Sequence, residues 1–522
     1  MKTKTISLCF IALLAAPVAL FADVKLASPF GSHMVLQREM KVPVWGTADA
    51  GEQVTVEFAG QKKSAPAGAD GKWRVTLDPL ATSAESRDFV GSSVNRESKI
   101  ENQKLQDVLV GEVWLGSGQS NMVFPVSKSR GAPYGLINEA EEIAAAKHPL
   151  IRMFTARDTK SYEVQDKVAG EWLVCSPETV PGFSAIGYLF ARDLQKEIGV
   201  PVGILTVASG ASCAEAWMSR DALEGDPSLK FMLDSLDECM KYFRATPQGP
   251  AAAGPKRPTP INKPRTPVTR LTDPSRDQHF ATVLFNGMLN PVIPYAIRGA
   301  LWYQGESICW GTRGLDLYGA VQRAMVKDWR ARWGEGDFPV YLVQLPGQQN
   351  ISNNPRIREE QAAVLSLPHT GMAVTIDVGE AKDVHPHNKT PVANRLARLA
   401  LADVYGRKLE ARSAMFTSLK IEGVNARVKF SHSGSGLSVK GGGELKGFQI
   451  AGNDRKFYDA SARCEGDSVV LYAPEVPAPM AVRYAWDNYP EGLGCNLVAG
   501  DLPAAPFRTD KWDYPIAGLV EH

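Results

Sequence analysis

The segment Gly116-Ser117-Gly118-Gln119-Ser120-Asn121-Met122 closes an apolar run through Val108, Val110, Val113 and Leu115, so a hydroxyl is presented where a strand gives way to the next segment. Gly116 and Gly118 allow a tight bend, and backbone N–H groups at the start of the following segment are then free to face an oxyanion. On spacing alone Ser120 fits two roles, a nucleophile or a helix N-cap. A nucleophilic serine needs a base, usually histidine. The chain has eight. His33 and His432 fall in strand-like ends, His522 is the last residue, and His148, His279 and His369 lie next to prolines or a proline-rich stretch. What remains is the cluster Asp383-Val384-His385-Pro386-His387, beyond the strand-like run 371–379 and just before a helical pattern. A metal role for His385 and His387 lacks a third ligand at fitting spacing.

Two more strand ends offer donors. Ala208-Ser209-Gly210-Ala211-Ser212 follows an apolar run, and Gly210 presents an unhindered N–H; the alternative is an ordinary turn. Trp302-Tyr303-Gln304-Gly305-Glu306 places an amide beside a carboxylate. Gln304 is either an oxyanion donor or a hydrogen-bonded core amide. Trp302, Tyr303, Trp310 and Trp217 either stack on a sugar or pack internally. Asn121, Trp302 and Glu306 are the candidate substrate contacts.

These residues need a scaffold that collects strand ends. Between about 105 and 410 the apolar runs 107–118, 200–210, 297–307, 338–346 and 371–379 suit strands of a parallel sheet buried on both faces. Helical patterns at 187–199, 317–334 and 390–406 fall between or after them, and the first two close on Gly199 and Gly334. Ligands of open α/β sheets bind beyond the carboxyl ends of the strands, which is where every candidate above sits. Residues 23–100 instead alternate, as in Val54, Val56, Phe58 and Trp73, Val75, Leu77, with turns at Gly51 and Asp70-Gly71, and predict a sandwich-like β unit. Residues 411–522 predict a second β-rich unit, and 246–275 a proline-rich, basic excursion from the α/β core.

Composition narrows the function classes. Lys and Arg number 58 against 57 Asp and Glu, a net charge of +1 that loss of Lys2 and Lys4 takes to −1. Such balance does not favour nucleic acid or an anionic membrane as partner. Residues 1–22 combine a basic start, an apolar stretch from Ile6 to Leu20 and Ala22 before Asp23, the pattern of a secretory signal peptide. The protein is therefore expected to be secreted or periplasmic, with no membrane span after cleavage. The six later cysteines have long, irregular spacings, so neither a zinc module nor a disulfide framework is expected, although isolated bridges fit an oxidising compartment.

The blocks FGSHMVLQREMKVPVWGTADAGEQVTV, GEVWLGSGQSNM, GASCAEAW, LFNGMLNPVIPYAIRGALWYQGES, DWRARWGEGDFPVYLVQLP, IREEQ, DVHPHNK and GDLPAAPFRTD run in this order through the chain. In them the sequence resembles the bacterial sialate O-acetylesterases of the SGNH/GDSL hydrolase superfamily. The resemblance implies an α/β, flavodoxin-like hydrolase core with a parallel sheet, flanked by the two β units. It further implies Ser120 as nucleophile, His385 as general base and acid, and Gly210 and Gln304 with the Ser120 N–H as oxyanion hole. Many superfamily members carry the acidic triad residue three positions before the histidine. Here that position is Lys382, and Asp383 stands two before. Asp383, a backbone carbonyl or a plain Ser/His dyad are the alternatives for orienting His385. The implied substrate is an O-acetylated sialic acid or sialoglycan, with no metal or organic cofactor. Acetylxylan or another acetylated polysaccharide is the alternative substrate, and a non-catalytic carbohydrate-binding protein the alternative function.

Overall fold

The computed structural model of the chain describes residues 24–94, 100–128, 133–246, 273–350, 353–434 and 436–512. The expected leader at 1–22, nearly all of the excursion at 246–275, and His522 lie outside the described residues. Among the described residues no helix is long and apolar enough to cross a membrane.

The five apolar runs become strands of one sheet. These are β1 (Ile100–Gly118), β4 (Val202–Ala208), β5 (Gly299–Tyr303), β6 (Val340–Val343) and β7 (Thr370–Ala373), joined by β2 (His148–Thr155) and β3 (Trp172–Cys175). Their order is β3-β2-β4-β1-β5-β6-β7. Every pairing is parallel except that of the edge strand β3 with β2. Counting β1, β4, β5, β6 and β7 as one to five gives 2-1-3-4-5, the order of flavodoxin-like doubly wound sheets. β2 and β3, which the sequence reading left out, extend one edge. β2 carries His148, Pro149 and Arg152, and β3 is only four residues long, so each gives a weak local signal.

Register decides where the site forms. Ala208 and Tyr303 both lie opposite Gly118, so β4, β1 and β5 end level and release their loops at one edge. The helices that cover the sheet are α2 (Ala185–Ile198), α3 (Gly311–Trp333) and α4 (Thr390–Asp403). Ser184 caps α2 by accepting from the Gly187 N–H at 3.1 Å, and Gly199 and Gly334 end α2 and α3 at φ of 69° and 70°. Glycine meets that left-handed φ at little cost.

In the amino-terminal β unit Val54, Val56, Phe58, Trp73, Val75 and Leu77 are all buried, as their alternation predicts. Its antiparallel sheet continues into the α/β core through β1, because the strand Ser83–Val94 pairs with the first half of β1 and the second half pairs with β4 and β5. One continuous apolar core accordingly runs from Val24 to Ala411. The carboxy-terminal strands form three further sheets with a core of their own, into which Met372 of β7 and the following Val374 and Ile376 also insert. The apolar run 371–379 therefore gives only a short strand, and the rest of it serves a second core.

A buried carboxylate fastens the amino-terminal segment to the sheet. Glu112 on β1, wholly inaccessible, accepts from Arg38 Nε, Gln37 Nε2 at 3.1 Å and Arg298 Nε at 2.7 Å. Removing one member of a buried ion cluster leaves the others uncompensated and typically costs about 3–5 kcal/mol. Glu112→Gln is expected to lower unfolding stability by roughly 3 kcal/mol in denaturant titration. A loss below about 0.5 kcal/mol, the scale of an ordinary surface substitution, would contradict this role.

Candidate active site

The site grows from the bend after β1. Gly118 has φ of 136°, and a Cβ there would lie 2.1 Å from the Tyr303 carbonyl oxygen, so only glycine lets β1 and β5 end so close together. The Gln119 N–H donates to that carbonyl at 2.9 Å, while the Gln119 side-chain oxygen accepts from the N–H groups of Gly305 and Ser307. Gln119 is thereby the N-cap residue of the short helix α1 (Ser120–Val123), which leaves the Ser120 side chain out of the cap. Ser120 Oγ instead lies 2.8 Å from His385 Nε2. Of the two roles open to Ser120 in the sequence, the geometry fits that of a nucleophile beside a base.

His385 is held from several sides. Its backbone N–H donates to Asp383 Oδ1 at 2.8 Å, and its Nδ1 lies 3.4 Å from the same oxygen. Asp383 thus anchors the loop through the backbone and faces the imidazole at a longer distance than a good hydrogen bond. Tyr134 stacks on the His385 ring with centroids 4.5 Å apart. Burial, and next the Lys389 cation, hold the His385 pKa below its ordinary value, against an opposing pull from Asp383. The imidazole is then neutral near pH 7, the form a general base requires.

Beneath the pair lies a buried polar chain that the sequence reading did not identify as a unit. The Asn121 amide donates to Glu306 Oε1 and, at 2.9 Å, to the Val384 carbonyl, and its oxygen accepts from Lys389 Nζ. Asn121 and Lys389 are fully buried and Glu306 nearly so. Burial pushes Glu306 up to about 7 and Lys389 down to about 7. The Lys389 ammonium also sits over the Phe124 ring at 4.4 Å. Lys389 immediately precedes α4, and its only sequence signal is its place four residues after His385.

The donors around Ser120 divide into two groups. The backbone N–H groups of Ser120 and Gly210 have no acceptor among the described residues, and a Cβ on Gly210 would lie 3.9 Å from Ser120 Cβ. These two fit an oxyanion. Gln304 does not. Its amide donates to the carbonyls of Ser212 at 3.0 Å and Ser307 at 3.1 Å, and its oxygen accepts from the Tyr318 hydroxyl, so the core-amide alternative describes it. The expected substrate contacts also need correction. Trp302 is 1% exposed and packs edge-on against Trp217 and Trp329, while Asn121 and Glu306 belong to the buried chain. Large rings and polar groups at strand ends were in each case spent on internal packing.

A disulfide between Cys213 and Cys309 ties the Gly210 loop to the loop after β5. It is one isolated bridge rather than a framework. Among the described residues Glu380, Asp383 and His387 bring one potential ligand atom each to within 4.8 Å of one another, as do Cys213, Glu215 and Cys309, two of which are spent on the disulfide. His387 already pairs with Glu380, Nδ1 to Oε1 at 3.0 Å.

Known proteins resemble this chain along nearly its whole length. Residues 282–405 match the family model for "Carbohydrate esterase, sialic acid-specific acetylesterase". The sialate O-acetylesterase of Mus musculus is 27% identical, with 92% of this chain and 94% of that protein covered. That of Homo sapiens is 27% identical, with 95% of each covered. A crystal structure of a carbohydrate acetylesterase from Xanthomonas citri superposes with a TM-score of 0.77 at 32% identity, covering 94% of this chain and all of the other.

The charges around His385 fix a pH test. Its neutral form is lost as pH falls through its pKa, so the acid limb of kcat/KM is expected below pH ~6.5, the unperturbed histidine value. Lys389→Met removes a cation that opposes protonation and leaves Glu306 without it, so the limb is expected to move to higher pH. A limb that stays in place or moves lower would contradict the electrostatic role given to Lys389.

Proposed function

From the premise that the chain belongs to the carbohydrate acetylesterase family that includes the sialate O-acetylesterases, we propose that it hydrolyses O-acetyl esters of sialic acids through an acyl-serine intermediate. The observation that carries this reading is the 2.8 Å contact of Ser120 Oγ with His385 Nε2 beside two backbone N–H groups that have no acceptor among the described residues. The strand order 2-1-3-4-5, with Ser120 after the first strand of that count, supports an SGNH-type core. The basic, apolar segment at 1–22 supports export.

In the first half-reaction His385 Nε2 takes the Ser120 proton as Oγ attacks the acetyl carbonyl carbon. Negative charge develops on the carbonyl oxygen, where the N–H groups of Ser120 and Gly210 receive it. Preorganised donors of this kind contribute about 2.7–4 kcal/mol each when judged by removal. Collapse breaks the ester C–O bond, His385 returns the proton to the leaving sugar hydroxyl, and Ser120 is left acetylated. In the second half-reaction His385 takes a proton from water as the water oxygen attacks the same carbon. As the Ser120 ester bond breaks, His385 returns that proton to Oγ, which restores the serine and the neutral imidazole and releases acetic acid, which ionises to acetate.

Asp383 supports His385 from 3.4 Å and is half-exposed, so its contribution is that of a secondary orienting group. Asn121, through the Val384 carbonyl, holds the same loop from the buried side. A purely glycan-binding protein would give this serine–histidine contact no use.

Acetate release from O-acetylated sialic acid and from acetylated xylan, by the wild type and by Ser120→Ala, tests the proposal. Release from the sialic acid is expected, falling by at least about 10³-fold in the variant. Release from xylan alone would replace the substrate and keep the mechanism. Activity retained in the variant would remove Ser120 from its role, and none by the wild type on either substrate would favour a binding protein.

A further inference from the structure

The amino-terminal β unit carries a cleft on its own. Its three-stranded sheet is formed by Lys25–Leu26, Val42–Thr47 and Lys72–Leu77. Across these strands Lys25 pairs with Thr47, Thr47 with Lys72, and Trp45 with Arg74. Because side chains alternate along a strand, these five residues share one face. Val44, Trp73 and Val75 occupy the other face and are buried. The shared face is not packed away, for Lys25, Lys72 and Arg74 are exposed and Trp45 is half-buried.

This face borders a cleft of about 360 Å³ whose opposite wall includes Pro291, Ile293 and Pro294. That volume lies in the range of small-molecule sites, roughly 300–1,000 Å³. The wall segment precedes β5 at its amino end, whereas Ser120 stands beyond the carboxyl ends, and no residue of the Ser120 site lines the cleft.

Charge selects the ligand. Four cations, Lys25, Lys72, Arg74 and Lys167, line the cleft against a single acid, Asp166, which is 3.0 Å from Lys72. Lys25, Arg74 and Lys167 form no ion pair among the described residues. A ligand matching these groups has an apolar face for Trp45 and the prolines and a carboxylate for Arg74 and the lysines. We infer that the cleft is an accessory binding site for a carboxylated sugar, separate from the Ser120 site. Such a site would hold an acidic glycan on the β unit independently of turnover. Phosphate esters carry the charge, but the aromatic and proline surface asks for the apolar face of a pyranose.

The inference does not depend on which ester the Ser120 site hydrolyses, and its test involves no turnover. Ser120→Ala protein labelled with ¹⁵N-tryptophan is titrated separately with N-acetylneuraminic acid, glucuronic acid and galactose, with the Trp45 indole signal assigned by Trp45→Phe substitution. Saturable shifts of the Trp45 signal with both acids and not with galactose are expected. Arg74→Glu is expected to weaken that binding by at least about tenfold, the scale of one charge-assisted contact. In the otherwise wild-type chain, Trp45→Ala is expected to keep p-nitrophenyl acetate hydrolysis within about twofold, since surface changes away from a site are usually small. No shift with either acid, equal shifts with galactose, or binding unaffected by Arg74→Glu would overturn the inference. Loss of p-nitrophenyl acetate hydrolysis in Trp45→Ala would overturn the separation of the two sites.

Discussion

Ser120 and His385 are 265 residues apart in sequence, and the geometry of the site depends on one buried side chain that spans the distance between their segments. Asn121, next to Ser120, donates to the carbonyl of Val384, next to His385. That one hydrogen bond sets the serine turn and the histidine loop in register. Its Asn121 end is fully buried, so losing the bond would strand a polar group at a cost of about 1–3 kcal/mol. The same amide reaches Glu306 and Lys389, so the loop after β5 and the start of α4 are fastened to the same point. Burying a carboxylate and an ammonium is unfavourable in itself. Here both are bridged by a neutral amide, and the residual field of Lys389 falls on His385, where it favours the neutral base.

The sheet supplies the rest of the positioning. Because β4, β1 and β5 end level, three loops meet at one edge, and the near contact of Gly118 with the Tyr303 carbonyl leaves no room for a side chain between them. Gln119 and Gln304 then satisfy the backbone groups freed where the strands stop. The Cys213–Cys309 bridge joins two of the loops covalently, which in a chain-entropy view stabilises by several kcal/mol for a closure of this length. Both the N–H of Gly210 and that of Ser120 are therefore carried by backbone that is tied on both sides. An oxyanion site needs donors fixed before the charge appears.

What the sequence disclosed follows from which signals are local. Apolar runs ending in Gly marked β1, β4 and β5, and the glycines at 199 and 334 marked helix ends, because burial on both faces and a left-handed φ each demand particular residue types. His385 could be singled out because few histidines follow a strand end, and Ser120 because it directly follows the Gly-rich bend at 116–118. Lys389 could not, since a lysine before a helix is ordinary unless the fold encloses it. Gln304, Trp302 and Glu306 stand where a ligand contact would stand, but hydrogen bonds and ring packing from Ser212, Tyr318, Trp217 and Asn121 claim them. Those partners come from distant segments, and no spacing rule announces them. The strands β2 and β3 give weaker local signals, since β2 carries His148, Pro149 and Arg152 and β3 is only four residues long.

The claim that Ser120 carries the acetyl group is tested most directly by trapping it. Protein mixed with p-nitrophenyl acetate is quenched in acid within the first turnovers, digested and examined by mass spectrometry. One acetyl group is expected on the peptide that contains Ser120, appearing in step with a burst of p-nitrophenol and absent from the Ser120→Ala variant. Steady hydrolysis with no acetylated peptide at early times, or an acetyl group found on another residue that turns over at the catalytic rate, would contradict the acyl-serine mechanism.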